Sequence, residues 1–362
     1  MNGRPVVYYI YPTTKWVSFR IIAEEHVRQI QKQFCVQKVD ETALATILPI
    51  ASLSSRSVIF LHPYFYPIQV YEKRLFSRIG KIGTLIGVDV ADTDHITETA
   101  VRLTEHATAM IVPSNFSRKT YVDSGVKIPV HVIPHGVHES YIDAEPSKPN
   151  IFKALHDYKA RTKKKLMQIW VLHSSYRKGE DLAYKIFNIL VRERMDVALV
   201  VRRPLSIDLY DSPINPEKLT PKITIGKSYL TDEEIKELMD ICDIFLLASR
   251  GGGFEHPPLL GMARGEIVIA AKGGAWEDYM PEWGLVQSQK SETILPGNPI
   301  HDGRGVEMIA DYAVAKIYEI LNNMDEYRAK IKEHVEKHVK PNFTWDKIGQ
   351  MLRELTARYL HM

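Results

Sequence analysis

Two short stretches hold residues whose types and spacing suit anion chemistry. They are Arg250–Asp278, RGGGFEHPPLLGMARGEIVIAAKGGAWED, and His173–Asp181, HSSYRKGED. Gly251, Gly252 and Gly253 follow the apolar run Ile244–Ala248 and permit backbone geometries that side chains forbid. Pro257 and Pro258 suit the first turn of a helix, where a missing N–H costs little, and Gly265 suits its end. A second apolar run, Ile267–Ala271, leads into Gly273-Gly274. A strand thus runs through a glycine-rich loop towards a helix N-terminus, twice. This is how α/β proteins aim backbone N–H groups and a positive dipole end at a phosphate. Arg177 and Lys178 add fixed cations. At a helix start, two cations oppose the dipole, which favours a bound anion over a merely solvated helix edge.

The elements that must position these residues read as alternating strands and helices. Strands are expected at Val6–Tyr11, Phe34–Val39, Ser57–Leu61, Gly83–Val88, Ala109–Val112 and Val130–Ile133. Helical patterns fall between them, at Phe19–Gln33, Thr97–Glu105 and Asn115–Ser124, the last capped by Ser114 and stopped by Gly125. After a linker at Glu139–Asn150, further strands are expected at Leu166–Leu172, Val197–Val201, Lys222–Ile225, Ile244–Ala248 and Ile267–Ala271. Thr231-Asp-Glu-Glu234 reads as a capping box. Helices are expected near Gly305–Asn323, Asp325–Val339 and Trp345–Leu360. The alternation implies two doubly wound parallel sheets, which bind ligands at the C-terminal ends of their strands.

Composition narrows the function classes. A chain of 362 residues allows about two domains. Hydrophobic content of 45% and charged content of 25% are those of a globular protein. A net charge of +3 argues against a dedicated nucleic-acid binder. Cys35 and Cys242 have no partner motif and read as reduced, packed thiols. No window reaches the ~18 apolar residues of a membrane span. The apolar run Val6–Tyr11 is too short for a signal-peptide core, so a cytoplasmic location is expected.

The segment from Ser249 to Gly265 resembles the donor-binding segment of the retaining GT-B glycosyltransferases, glycosyltransferase family 4 (glycosyl transferases group 1). Ser249, Gly253, Phe254, Pro258, Leu259, Met262, Ala263 and Gly265 match its S-x-x-E-G-F-G-L-P-x-L-E-A-M-A-x-G pattern. Its two glutamates fall on Gly252 and Leu260, and neither is acidic. Lys178, Gly179 and Asp181 match a K-G-x-D motif, whose preceding arginine position falls near His173 or Ser174, with Arg177 as its substitute. Pro113-Ser114, Phe116-Ser117 and Ile133-Pro134-His135-Gly136-Val137 match the end of the family's first domain, and Phe343-Thr344-Trp345 its last helix start. The resemblance runs from about Ser57 onward, and the family's early Gly-Gly loop is replaced by Pro12–Trp16.

The resemblance implies a GT-B fold, two Rossmann-like domains facing a cleft. The expected divisions are 1–142 on the acceptor side, 150–342 for the nucleotide-sugar, and a terminal helix, 343–362, crossing back. It implies transfer of a sugar from a nucleotide-diphosphate-sugar, which is substrate rather than cofactor, to a hydroxyl acceptor with retention and without a metal. The acceptor class is a carbohydrate, a lipid-linked molecule or another hydroxyl, and peripheral membrane contact is compatible. His62, Arg177, Lys178 and Glu255 are the expected catalytic residues. His173, Ser174, Gly226, Gly252, Gly253, Phe254, His256, Pro258 and Leu259 are expected around the donor, and Asp92 and Asp94 on the acceptor side. Three of these have a bland alternative. His62 can be a packed residue, Gly226 a simple turn, and Glu255 a charge that complements the helix dipole. Loss of both family glutamates leaves open a catalytically weak or inactive nucleotide-sugar-binding protein. A nucleic-acid glucosyltransferase is a third possibility, and the near-neutral charge lends it little support.

Overall fold

The computed structural model describes residues 6–15, 17–44, 46, 57–75, 84–142, 144–204, 222–227 and 229–360. Trp16, Gly83 and Asp143, each in an expected feature, lie outside them. The chain forms two compact units, Met1–Gly136 with Gly297–Gly303 and Phe343–Met362, and Val137–Pro296 with Arg304–Asn342. Strands are β1 (Val6–Tyr11), β2 (Cys35–Asp40), β3 (Ser57–Leu61), β4 (Thr84–Val88), β5 (Ala109–Val112), β6 (Val130–Val132), β7 (Lys165–Trp170), β8 (Val197–Arg202), β9 (Lys222–Ile225), β10 (Ile244–Leu247), β11 (Ile267–Ala271), β12 (Leu285–Val286), β13 (Ser288–Thr293) and β14 (Arg304–Met308). The helices used below are α1 (Ser18–Ile30), α2 (Phe65–Leu75), α3 (Glu98–Thr104), α4 (Asn115–Asp123), α5 (Lys153–Thr162), α6 (Glu180–Leu190), α7 (Asp232–Ile241), α8 (His256–Ala263), α9 (Ala310–Asn322), α10 (Met324–His334) and α11 (Trp345–Leu360).

The first unit is a six-stranded parallel sheet in the order β2-β1-β3-β4-β5-β6. Both faces are covered, which is why its central strands read as unbroken apolar runs. Alternate residues feed opposite layers: Ile59 and Leu61 join Phe65 and Ile68, while Val58 and Phe60 join Val27, Ile348 and Leu352 of α1 and α11. Ser114 caps α4 by accepting from Ser117 N–H at 3.1 Å, and Gly125 turns the chain at φ +103°.

The second unit repeats the plan with the order β12-β11-β10-β7-β8-β9. Thr231 and Glu234 form the expected capping box of α7. Two expectations need correction. Gly305–Asn323 is not one helix: Arg304–Met308 forms the antiparallel partner of β13, and α9 begins only at Ala310. Gly305 is there for a close approach, since a Cβ on it would lie 1.8 Å from the Arg250 carbonyl oxygen. Asp325–Val339 is α-helical only to His334 and continues as a π-helical turn over Val335–Val339. The described residues of the expected linker, 139–142 and 144–150, lie along α7. Tyr141 donates to Asp232 at 2.8 Å, Ser147 N–H to Asp240 at 2.7 Å and Asn150 N–H to Glu237 at 2.7 Å, fastening it along α7.

Candidate active site

In the second unit β7 is the first strand, and the chain builds outward from it in both directions, to β8 and β9 on one side and to β10 and β11 on the other. The loops after β7 and β10 therefore flank the switch point, where open α/β sheets leave a crevice for ligands. The first loop is His173–Gly179 and the second is Ser249–Glu255, so sheet order brings the two chemical stretches of the sequence side by side.

Their meeting point is an ion pair. Lys178 Nζ lies 2.5 Å from Glu255 Oε1, Ser249 Oγ donates to the same oxygen at 3.3 Å, and Arg177 Nη1 is 3.9 Å away. Arg177 also donates to the Gly251 carbonyl at 2.9 Å. These side chains are not solvated: Arg177 is 12% exposed, Lys178 15% and Glu255 7%. Both cations precede α6, which starts at Glu180 after a left-handed Gly179, so they sit in the loop and not on the helix edge. Glu255 is a carboxylate of this chain that meets both cations. Gly179 is obligatory, because a Cβ there would lie 1.9 Å from the Ala248 carbonyl oxygen.

Glu255 is the N-cap of α8 in a left-handed conformation, φ +63°. Tyr279 OH fixes its carbonyl at 2.6 Å, and Phe254 packs on the Tyr279 ring at 5.1 Å. Its carboxylate fills the space above Gly252, where a Cβ would stand 2.0 Å from Oε1. Leu260, at the second family glutamate position, is buried and apolar.

Arg250 scaffolds both loops. Its guanidinium takes Asp181 bidentately at 2.7 Å, Glu307 at 2.6 Å and the Tyr176 carbonyl at 2.7 Å, and lies 4.0 Å over the Tyr176 ring. The K-G-x-D aspartate thus braces the scaffold. Of the other expected donor residues, Gly253, Phe254, Pro258 and Leu259 are buried around the start of α8, with His256 partly exposed. Ser174 turns the β7 loop at φ +42°. The His173 imidazole is held below its usual range by burial, then by Arg177 and Lys178. Gly226 directly follows β9, two strands from β7.

His62, Asp92 and Asp94 belong to the first unit. His62 directly follows β3, and its Nδ1 lies 3.3 Å from Tyr9 OH, which lies 2.8 Å from His26 Nδ1. One hydroxyl proton serves two imidazoles, so the hydroxyl donates to one ring and accepts from the other. Burial holds both rings well below the usual range, His26 at about 3, so both stay neutral near pH 7. Asp92 and Asp94 follow β4, half-buried. The nearby Asp89 accepts from the N–H groups of Tyr64 and Phe65 at 2.9 Å, and burial raises it to about 6.

A cavity of about 460 Å³ lies at the opposite edge of the second sheet, before β10 and β11. Several of its charges pair with one another, Lys159 and Arg328 with Asp243 and Arg264 with Asp240. It is away from the strand C-termini and is not the candidate site. Among the described residues no group of three His, Cys, Asp or Glu side chains is arranged to hold a metal ion, and no helix is long and apolar enough to cross a membrane.

Sequence reasoning missed Arg250, the brace of both loops, and Tyr279, which fixes the Glu255 carbonyl.

No family model matches the chain. In fold it is a GT-B protein of two Rossmann-like parallel-sheet units. It superposes on HepE of Anabaena, solved in complex with UDP and glucose, with a TM-score of 0.68 at 12% identity, covering 98% of this chain and 99% of that one. A protein of Sulfolobus islandicus filamentous virus (isolate Iceland/Hveragerdi), described as putative glycosyltransferase 45, is 26% identical over 74% of this chain and 72% of its own length. Uncharacterized protein 356 of Sulfolobus islandicus rod-shaped virus 1 is 31% identical over 98% of both chains, and this chain belongs to the same family as that protein.

Proposed function

We propose that the chain is a retaining glycosyltransferase of the family 4 type, moving a hexosyl group from a nucleotide-diphosphate-sugar to a hydroxyl acceptor without a metal. The observation that carries this reading is the Lys178–Glu255 pair at the N-terminus of α8, on the switch point of the second sheet. The resemblance to HepE, solved with UDP and glucose, and to a putative viral glycosyltransferase supports it.

In this reading the bond from the anomeric carbon to the diphosphate oxygen breaks. A bond to the acceptor oxygen forms on the same face, and the departing phosphate oxygen takes the acceptor proton. Arg177, Lys178 and the N–H groups around Gly253–Leu259 stabilise the charge that develops on the diphosphate. The donor's anion draws Lys178 into a shared contact, and Glu255 accepts hydrogen bonds from sugar hydroxyls. His62 serves as a neutral hydrogen-bonding group, with Asp92 and Asp94 on the acceptor side. The acceptor is a carbohydrate, a lipid-linked molecule or another hydroxyl, met in the cytoplasm or at its membrane surface.

The test is incubation with α-linked UDP-, GDP- and ADP-sugars, following nucleotide release and the anomeric configuration of the product by NMR. An α-product, formed equally well in chelator, is expected. A β-product, or activity that vanishes in chelator and returns with magnesium, defeats the proposal. One observation favours a second reading, an inactive nucleotide-sugar-binding protein: both family glutamate positions lack a carboxylate of their own, and Leu260 is buried. Tight donor binding without release of nucleotide would support that reading instead.

A further inference from the structure

We propose that Arg202 selects the nucleobase of the donor, taking bases that present a carbonyl oxygen (uracil, thymine, guanine) over those that present an amino group there (cytosine, adenine). The inference rests on the donor reading above and adds a site of base recognition to it.

Arg202 ends β8, and the parallel ladders set it level with Trp170 of β7 and Ile225 of β9. β7 leads into the His173–Lys178 loop and β9 into Gly226. Arg202 therefore stands in the row between the proposed diphosphate loop and the glycine expected near the base. Register partners share a face, and here that face is the layer of α7 and α8. Gln168, two residues before Trp170, reaches Met239 of α7 at 3.2 Å and Glu266, just past α8, at 2.8 Å. α8 is the helix that opens at Glu255. Arg203 turns the other way and pairs with Glu180 of α6 at 3.4 Å.

One donor of Arg202 is unmet, while the Glu234 carboxylate of α7 supplies it a favourable charge. Arg202 is 5% exposed, and its Nε is buried with no hydrogen-bond partner among the described residues. The guanidinium carbon lies 4.0 Å from the Trp170 ring centroid. Trp170 is itself pinned, its indole N–H donating to Gln168 Oε1 at 2.8 Å. The ring thus holds the guanidinium plane and leaves its edge to recognise a ligand. Burial lowers the group to about 10, so it remains charged at neutral pH. An unmet buried N–H is costly, and a ligand acceptor relieves that cost. Guanidinium has donors only. A base carbonyl meets it well, whereas an amino group sets donor against donor, and bases divide on this feature.

Calorimetry on the full chain with UDP, GDP, CDP, ADP and inorganic pyrophosphate tests this. UDP or GDP should bind at least about tenfold more tightly than CDP and ADP, the equivalent of one hydrogen-bond mismatch. Arg202→Lys and Arg202→Met should bring the four nucleotides within about threefold of one another and leave pyrophosphate affinity unchanged. The wild-type ranking needs no variant to fold, and Arg202→Lys keeps the charge if Arg202→Met does not fold. Equal wild-type affinity for all four nucleotides, or an equal loss for pyrophosphate and UDP in the variants, overturns the inference and leaves the donor reading standing. Failure of every nucleotide to bind overturns the donor reading and this inference with it.

Discussion

The carboxylate of Glu255 occupies the space that a side chain on residue 252 would need: a Cβ on Gly252 would stand 2.0 Å from Glu255 Oε1. The glycine and the glutamate are therefore one arrangement. A carboxylate supplied from the helix start requires an empty position three residues earlier. Gly252→Ala should displace Glu255 from Lys178 and cost about 1–3 kcal/mol in urea unfolding, the range for overpacking a close-packed site. The cost should shrink when Glu255→Ala is present as well, because the clash is then gone. Strictly additive losses would show that the two residues do not compete for this space.

Glu255→Gln keeps the shape and removes the charge. Lys178 then keeps an acceptor but loses the opposite charge that pairs with it, and a neutral amide faces the sugar. Turnover should fall by about a hundredfold or more, as for loss of one group that stabilises a transition state. The melting temperature should move by only a few degrees. If turnover survives and only the melting temperature falls, Glu255 is a helix-end charge.

The buried His26 gives a pH signature. Its imidazole ionises at about 3 in the folded chain against about 6.5 when exposed. Between those values the unfolded state binds more protons, so stability is full above about pH 6.5 and is lost as pH falls. Asp89, raised to about 6, acts in the opposite sense, its contribution falling as pH rises from about 4 to about 6. Subtracting the curve of His26→Gln removes the Asp89 contribution. The difference between wild type and variant should slope by up to about 1.4 kcal/mol per pH unit between pH 6 and 4. Parallel curves would mean that His26 is not buried in neutral form.

The sheets were legible because parallel strands covered on both faces are apolar throughout, as at Ser57–Leu61 and Ile244–Leu247. The β13–β14 hairpin was not. Ser288–Thr293 is polar and largely exposed, and Gly305 looked like a helix start until the nearby Arg250 carbonyl explained it. Lys178 and Glu255 were each visible as chemistry, but not as partners. They lie 77 residues apart, and only the strand order sets β7 beside β10. The two cations suggested an external anion because a sequence does not show which internal carboxylate returns to meet them.

Arg250 is the group on which both loops depend, and its loss should be felt in stability before chemistry. It is 3% exposed and holds Asp181, Glu307 and the Tyr176 carbonyl while stacking on the Tyr176 ring. Asp181 lies in the first turn of α6, Glu307 lies on β14, and the backbone of Arg250 takes Arg177 O and gives Val306 N its acceptor, at 2.7 and 2.8 Å. Arg250→Lys keeps one charge but has neither the planar fork nor the stacking face. It leaves at least one of two carboxylates short of a partner in a part-buried site. A loss of about 2–4 kcal/mol is expected, near that for breaking a buried pair. Nucleotide affinity should fall with it, because the loops that carry Lys178 and Glu255 lose their common brace. Urea unfolding and calorimetry on the same variant separate the effects. A destabilised chain with unchanged affinity would show that the loops hold their shape without Arg250, and an unchanged midpoint would show that its ion pairs contribute nothing net.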